Sequence, residues 1–240
     1  MLWLRSWRET RTRFWLCGVA LGGNCAGLVF YYNLFCRKRG LLGGARLNYY
    51  PEYIRGEIFG SSAVQSFFVL LVVLLGTGGL LHERAIRTAG FTLALPVPRW
   101  RLFVPQIGVG LLQTAVLALI PVLVIVALSP SVGLAYPLAH ATSFALAWSV
   151  CGSAGFALAF LSSAIFEGEY VAPVVSVIVI AAVSYVSDIE ALKGMSLDIQ
   201  AIMSNSGRIA VSPWGKLSVI AAAALLMFWI ATGCLYRRDF

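Results

Sequence analysis

Six stretches of this chain, each roughly twenty residues long, hold no Asp, Glu, Lys or Arg apart from Lys216 at the very start of the last, and that much apolar sequence has no use in a water-soluble core. They cover residues 14–35, 61–81, 104–128, 138–164, 171–187 and 216–236. A helix rises about 1.5 Å per residue, so each stretch can cross the roughly 30 Å of hydrocarbon in a bilayer. Composition agrees: of 240 residues, 60% are hydrophobic and only 12% charged, and the mean hydropathy is +0.85. The expected fold is therefore all-α, an integral membrane bundle of six transmembrane helices forming one domain over 1–240.

Before the first stretch, Leu2, Trp3, Leu4 and Trp7 are interleaved with Arg5, Arg8, Arg11 and Arg13. Tryptophan favours headgroup depth and arginine favours anionic lipid, which predicts an N-terminal interfacial helix over 1–13. The same pattern also fits a simple extension of the first span into water. A cleavable signal peptide is not expected, because the apolar stretch that follows is of full span length. Pro105 and Pro173 fall near the starts of their spans, whereas Pro121 lies inside the third and predicts a bend there.

The formal charge of +8 does not form a nucleic-acid stripe; the basic residues gather beside the apolar spans, where lipid headgroups and topology account for them. Membrane lipid is thus an expected partner and nucleic acid is not. Cys17, Cys25, Cys36, Cys151 and Cys234 lie within or at the ends of apolar runs, with no CxxC spacing, as packing residues do and metal ligands do not. Gly18 with Gly22, and Gly23 with Gly27, are two overlapping pairs at four-residue spacing that let another helix approach closely, either within the subunit or from a neighbouring one.

With six spans both termini share one side. Ten Lys and Arg residues then fall on the side of the termini (Arg5, Arg8, Arg11, Arg13, Arg84, Arg87, Arg99, Arg101, Arg237, Arg238), against eight on the other. The positive-inside rule leans only slightly toward cytoplasmic termini.

The chemistry excluded is as informative. With no carboxylate or basic side chain in the interior of the spans, a proton relay has no members and a charged-ring filter has none either, although sodium sites made from backbone carbonyls would escape this test. His140 sits near a span end. Ser153, in the small-residue patch 151–155, lacks a base within reach, since His82 and His140 both lie near span ends, so helix packing is expected there in place of catalysis. No GxxxxGK phosphate loop occurs, so ATP is not expected on this chain in the P-loop manner.

The most specific segment lies between the second and third spans. Glu83 and Arg87 are four residues apart and pair on a helix, Phe91 and Leu95 continue an apolar face, and Pro96 stops the element. An amphipathic segment at the membrane surface, within a loop over 82–103, is predicted. This stretch resembles the cytoplasmic loop of the type 2 ABC transporter permease family, through Glu83-Arg84, Thr88 and Leu95-Pro96-Val97-x-Arg99. Arg87 stands where that family usually has glycine, and Pro98 where it has serine. The resemblance reaches the whole chain in outline, including the short fourth inter-span loop, 165–170, and the Tyr236-Arg237-Arg238-Asp239-Phe240 ending.

That resemblance implies a permease subunit, not itself an enzyme, whose partners are an ABC ATPase subunit carrying ATP and Mg and a second permease copy or a related one. It implies a cytoplasmic loop in which Glu83, Arg84, Arg87, Thr88, Phe91, Leu95, Pro96 and Arg99 couple to the ATPase, with Glu167 and Glu169 in a second cytoplasmic loop. It also implies a bacterial cytoplasmic membrane, cytoplasmic termini, and an exceptional basic external segment at Arg37-Lys38-Arg39. Importer permeases carry an EAA-type loop with longer glycine-to-Leu-Pro spacing than Gly90 to Pro96, so export is favoured. The rival reading is a membrane scaffold or assembly protein without an energised partner. Asn24, Gln65, Gln113, Thr114 and Ser149 are too scattered to name a substrate.

Overall fold

A computed structural model of the chain describes residues 2–40, 44–77, 100–134, 136–166, 171–187, 199–205 and 214–237. Among them there is no strand. The helices are α1 (Leu2–Arg39), α2 (Gly44–Tyr53), α3 (Ser62–Gly76), α4 (Trp100–Leu128), α5 (Leu138–Ile165), α6 (Val171–Ser187), α7 (Ile199–Asn205) and α8 (Trp214–Arg237). A π-helical turn, Ile54–Phe59, joins α2 toward α3, and a 3-10 turn, Ser129–Val132, follows α4.

Four of these helices are long and apolar enough to cross a membrane, within α1, α4, α5 and α8, and a fifth crossing is formed if the pair 48–59 and 62–76, bent by 45°, counts as one. The fifth expected span is present as α6, at 17 residues a shorter apolar helix.

The separate interfacial helix expected over 1–13 does not stand apart: Leu2–Arg39 is one helix of 38 residues, about 57 Å long at 1.5 Å per residue. No glycine or proline interrupts the Trp/Arg segment, so the hydrogen-bond ladder continues into the span without penalty. Its first turns also pack. Ser6, Thr10, Phe14, Cys17, Leu21, Cys25, Val29, Tyr32 and Cys36 are all buried, a three-and-four-residue spacing that forms one stripe along the whole helix. Three of the cysteines lie on that stripe, as small apolar packing groups.

The stripe meets α4. A side chain at Gly108 would strike the Trp3 ring, Gln113 bonds to Thr10, Gly18 faces Ile120, and Gly22 faces Ile120 and Val124. The numbers rise together on both helices, so α1 and α4 run parallel. By the same test α3 and α5 are parallel, since Phe68 packs on Trp148 and Gly152, Val72 on Gly155, and Gly76 on Ala159. Helices α4 and α5 are antiparallel, because Gly110 meets Phe156 while Thr114 meets Gly152. Directions thus alternate from α3 to α4 to α5, as successive crossings require.

Helix α5 is the hub, touching α3, α4, α6, α7 and α8. Of its most apolar window 67% is buried, against 28% for α8, which places α5 at the centre and α8 at the rim. Its alanines and glycines allow close approach from several sides at once. Around it sits an aromatic block: Phe59 stacks on Phe144 with centroids 4.1 Å apart, and Trp148 lies between Phe59 and Phe68 at 5.8 and 4.9 Å. Helix α4 runs without a break through Pro105 and Pro121.

The segment between the first two expected spans is largely helical and partly buried. Tyr50, Tyr53, Ile54, Ile58 and Phe59 are buried. The break before α3 is closed by two short bonds, Gly60 N–H to the Arg55 carbonyl at 2.6 Å and Gln65 Nε2 to the Phe59 carbonyl at 2.6 Å.

Candidate functional site

The helix registers assign ends to the bundle. Trp3 of α1, Gly76 of α3, Gly108 of α4 and Ala159 of α5 share one end, here called the first end; Tyr32, Tyr50, Ser129 and Phe144 lie toward the other. The segment from 78 to 99 therefore leaves the bundle at Thr77 and returns at Trp100, both at the first end, beside the start of α1. The residues expected to couple to an ATPase, Glu83, Arg84, Arg87, Thr88, Phe91, Leu95, Pro96 and Arg99, lie outside the described residues, as do Glu167 and Glu169 of the expected second loop. Those two glutamates fall directly after α5, whose last described residues, Ile165 and Phe166, are again at the first end. The anchors of both candidate loops are thus gathered on one face.

The two glycine pairs have different surroundings. A Cβ on Gly18 would lie 3.1 Å from Ile120 Cδ1, and one on Gly22 would lie 3.4 Å from Ile120 Cγ2, so this pair lets α4 approach α1. Around Gly23 and Gly27 a Cβ would meet nothing within 4 Å; they face outward. The sequence gives both pairs the same spacing, and only the position of the buried stripe separates them.

Several polar groups inside the bundle bond to its own helices, although Gln113 Oε1 and Trp148 Nε1 are buried without a partner. Gln113 Nε2 donates to Thr10 Oγ1 at 2.7 Å, and Thr10 Oγ1 donates to the Ser6 carbonyl at 3.0 Å. Thr114 donates to Gly110 and Ser149 to Ala145, each one turn back on the same helix. Ser153 donates to the Val150 carbonyl at 2.7 Å. On the same helix, His140 is about 20 Å from it along the axis, a separation that excludes proton transfer between the two. Among the described residues no group of three or more His, Cys, Asp or Glu could hold a metal ion.

The second end carries a tyrosine-rich cluster that sequence reasoning missed. The Ser129 hydroxyl donates its single proton to the Ile125 carbonyl at 2.6 Å. Its 2.7 Å contact with Tyr50 must therefore be a bond donated by the phenol. Tyr53 donates to the Leu28 carbonyl at 3.0 Å and packs against Tyr32 at 4.8 Å. Burial pushes the Tyr136 phenol, in the loop between α4 and α5, up to about 12, against the opposing charge of Arg55 and with a smaller push from Tyr50. The available signal was the spacing of Tyr49, Tyr50, Tyr53, Ile54 and Ile58, which repeats every three to four residues as a buried helical face does. At the same end Arg39 lies 4.7 Å over the Phe35 ring and Lys38 5.8 Å over Tyr31, with Arg37, Lys38 and Arg39 all exposed.

These features define an all-helical bundle with four or five helices fit to cross a membrane, bounded at each end by basic and aromatic residues. No protein-family model matches the chain, and no curated protein matches it.

Proposed function

We propose that this chain is the membrane-spanning permease subunit of an ATP-driven exporter in a bacterial cytoplasmic membrane, with both termini in the cytoplasm. One observation carries the reading. The segment that passes from Glu83-Arg84 through an apolar face to Leu95-Pro96-Val97-Pro98-Arg99 joins two neighbouring apolar helices, and its anchors share an end of the bundle with the start of α1. A partner on that side meets a charged, amphipathic element tied directly to α3 and α4.

Six crossings result when the bent α2–α3 pair and α6 join α1, α4, α5 and α8. At 17 residues α6 is about 25 Å long, a shortfall that local thinning of the bilayer or flanking side chains absorb at modest cost. Two permease copies, identical or related, enclose the substrate path, and each engages an ATPase subunit that holds ATP and Mg. Closure of the ATPase pair pushes on the 82–103 loop. Glu83, Arg84 and Arg87 supply its charged contacts, while Thr88, Phe91, Leu95, Pro96 and Arg99 fix its shape and seat it on the bundle. Glu167 and Glu169 offer a second contact. Because α4 packs along both α1 and α5, displacement of its first turn is passed to the bundle centre.

The test replaces Glu83 and Arg84 together (Glu83→Ala, Arg84→Ala) and measures ATPase co-purification and stimulated ATP hydrolysis. Loss of both, with the permease still inserted and folded, is the expected outcome; assembly and turnover at wild-type levels would remove the coupling role.

A further inference from the structure

The outward face of α1 at the first end carries a feature that the exporter reading does not use. Arg11, Thr12, Trp15, Leu16 and Val19 line an open groove of about 540 Å³. Trp15, Leu16 and Val19 are 64%, 71% and 70% exposed, so none of the described elements covers it. The lining is ordered by chemistry along the helix axis. A guanidinium and a hydroxyl come first, an indole one turn further in, then two aliphatic side chains, all within about 12 Å. Beyond Val19 the same face continues over Gly23 and Gly27, where an added Cβ would meet nothing within 4 Å.

We propose that this groove is a binding site for one anionic phospholipid. Its phosphodiester accepts hydrogen bonds from the Arg11 guanidinium and the Thr12 hydroxyl, its ester region lies at the Trp15 indole, and one acyl chain runs over Leu16 and Val19 toward the smooth surface at Gly23. Each part of the lipid meets a matching group: a cation and a donor for the phosphate, an amphipathic ring at the interface, aliphatic carbon for the chain. A second protein helix fits less well, because a helix pressed on this face would have to bury the Arg11 charge. The site requires α1 to cross a bilayer and does not require an ATPase partner.

The full-length protein is reconstituted in phosphatidylcholine vesicles containing either phosphatidylglycerol or phosphatidylcholine with brominated chains. Quenching of Trp15 is read as the difference between the wild type and Trp15→Phe. One basic side chain at the surface favours an anionic lipid by roughly fivefold, so brominated phosphatidylglycerol should quench at about one fifth of the mole fraction that phosphatidylcholine needs. Arg11→Gln should abolish the preference, Arg11→Lys should retain it, and Arg37→Gln, at the far end of the same helix, should leave it unchanged; helical content by circular dichroism reports that each variant is folded. Equal quenching by the two lipids would mean annular contact only and would overturn the proposal. So would a preference that survives Arg11→Gln, or a Trp15 that neither lipid quenches. Loss of ATPase coupling leaves this readout untouched, so the two readings fail separately.

Discussion

Gly18→Leu and Gly23→Leu are changes of equal size on one helix, and their surroundings set them apart. At Gly18 even a Cβ would come within 3.1 Å of Ile120, so a leucine must push α1 from α4 and should destabilise the bundle by about 1–3 kcal/mol. At Gly23 the space is open and the same change should leave stability within about 0.5 kcal/mol. Thermal unfolding in detergent checks the pair; equal losses would contradict the assignment of the buried stripe. Tyr136 offers a second test at this scale. Its folded pKa is raised from 10.0 to about 12, so its contribution to stability is fully present below pH 10 and is lost as pH rises toward 12. The tyrosinate absorbance missing from Tyr136→Phe should therefore titrate near 12, and a missing component near 10 would show the phenol to be solvated.

Among the elements, the junction between the π-helical turn and α3 depends on Gln65, which is 1% exposed and caps the Phe59 carbonyl. Gln65→Leu keeps the volume but leaves that carbonyl without its 2.6 Å bond, and should cost on the order of 1 kcal/mol in a detergent melt. Gln65→Glu should cost more, because it loses the donor and buries a charge. Long apolar runs were legible in the sequence: residues 138–164 became Leu138–Ile165 and 171–187 became Val171–Ser187, since a charge-free run of that length favours one continuous apolar helix. What was not legible came from tertiary context. Arg37-Lys38-Arg39 read as a basic external segment, yet the buried tyrosines draw the following residues into a helix and a π turn. The Trp/Arg segment read as a separate surface helix, yet Trp3, Ser6 and Thr10 hold it against α4. The choice between Gly18/Gly22 and Gly23/Gly27 likewise needed the position of α4.

For the whole molecule, the described helices form one packed body around α5. The proposed function places the input at the first end, through the loop containing Thr88, which requires that end to face the cytoplasm. The most direct measurement is the accessibility of a single cysteine at Thr88→Cys, in a background whose five native cysteines are replaced, to a membrane-impermeant thiol reagent in intact cells and in inverted membrane vesicles. Labelling in inverted vesicles and protection in intact cells are the expected result. Labelling in intact cells would place the loop outside, beyond the reach of any cytosolic ATPase, and would contradict the exporter reading.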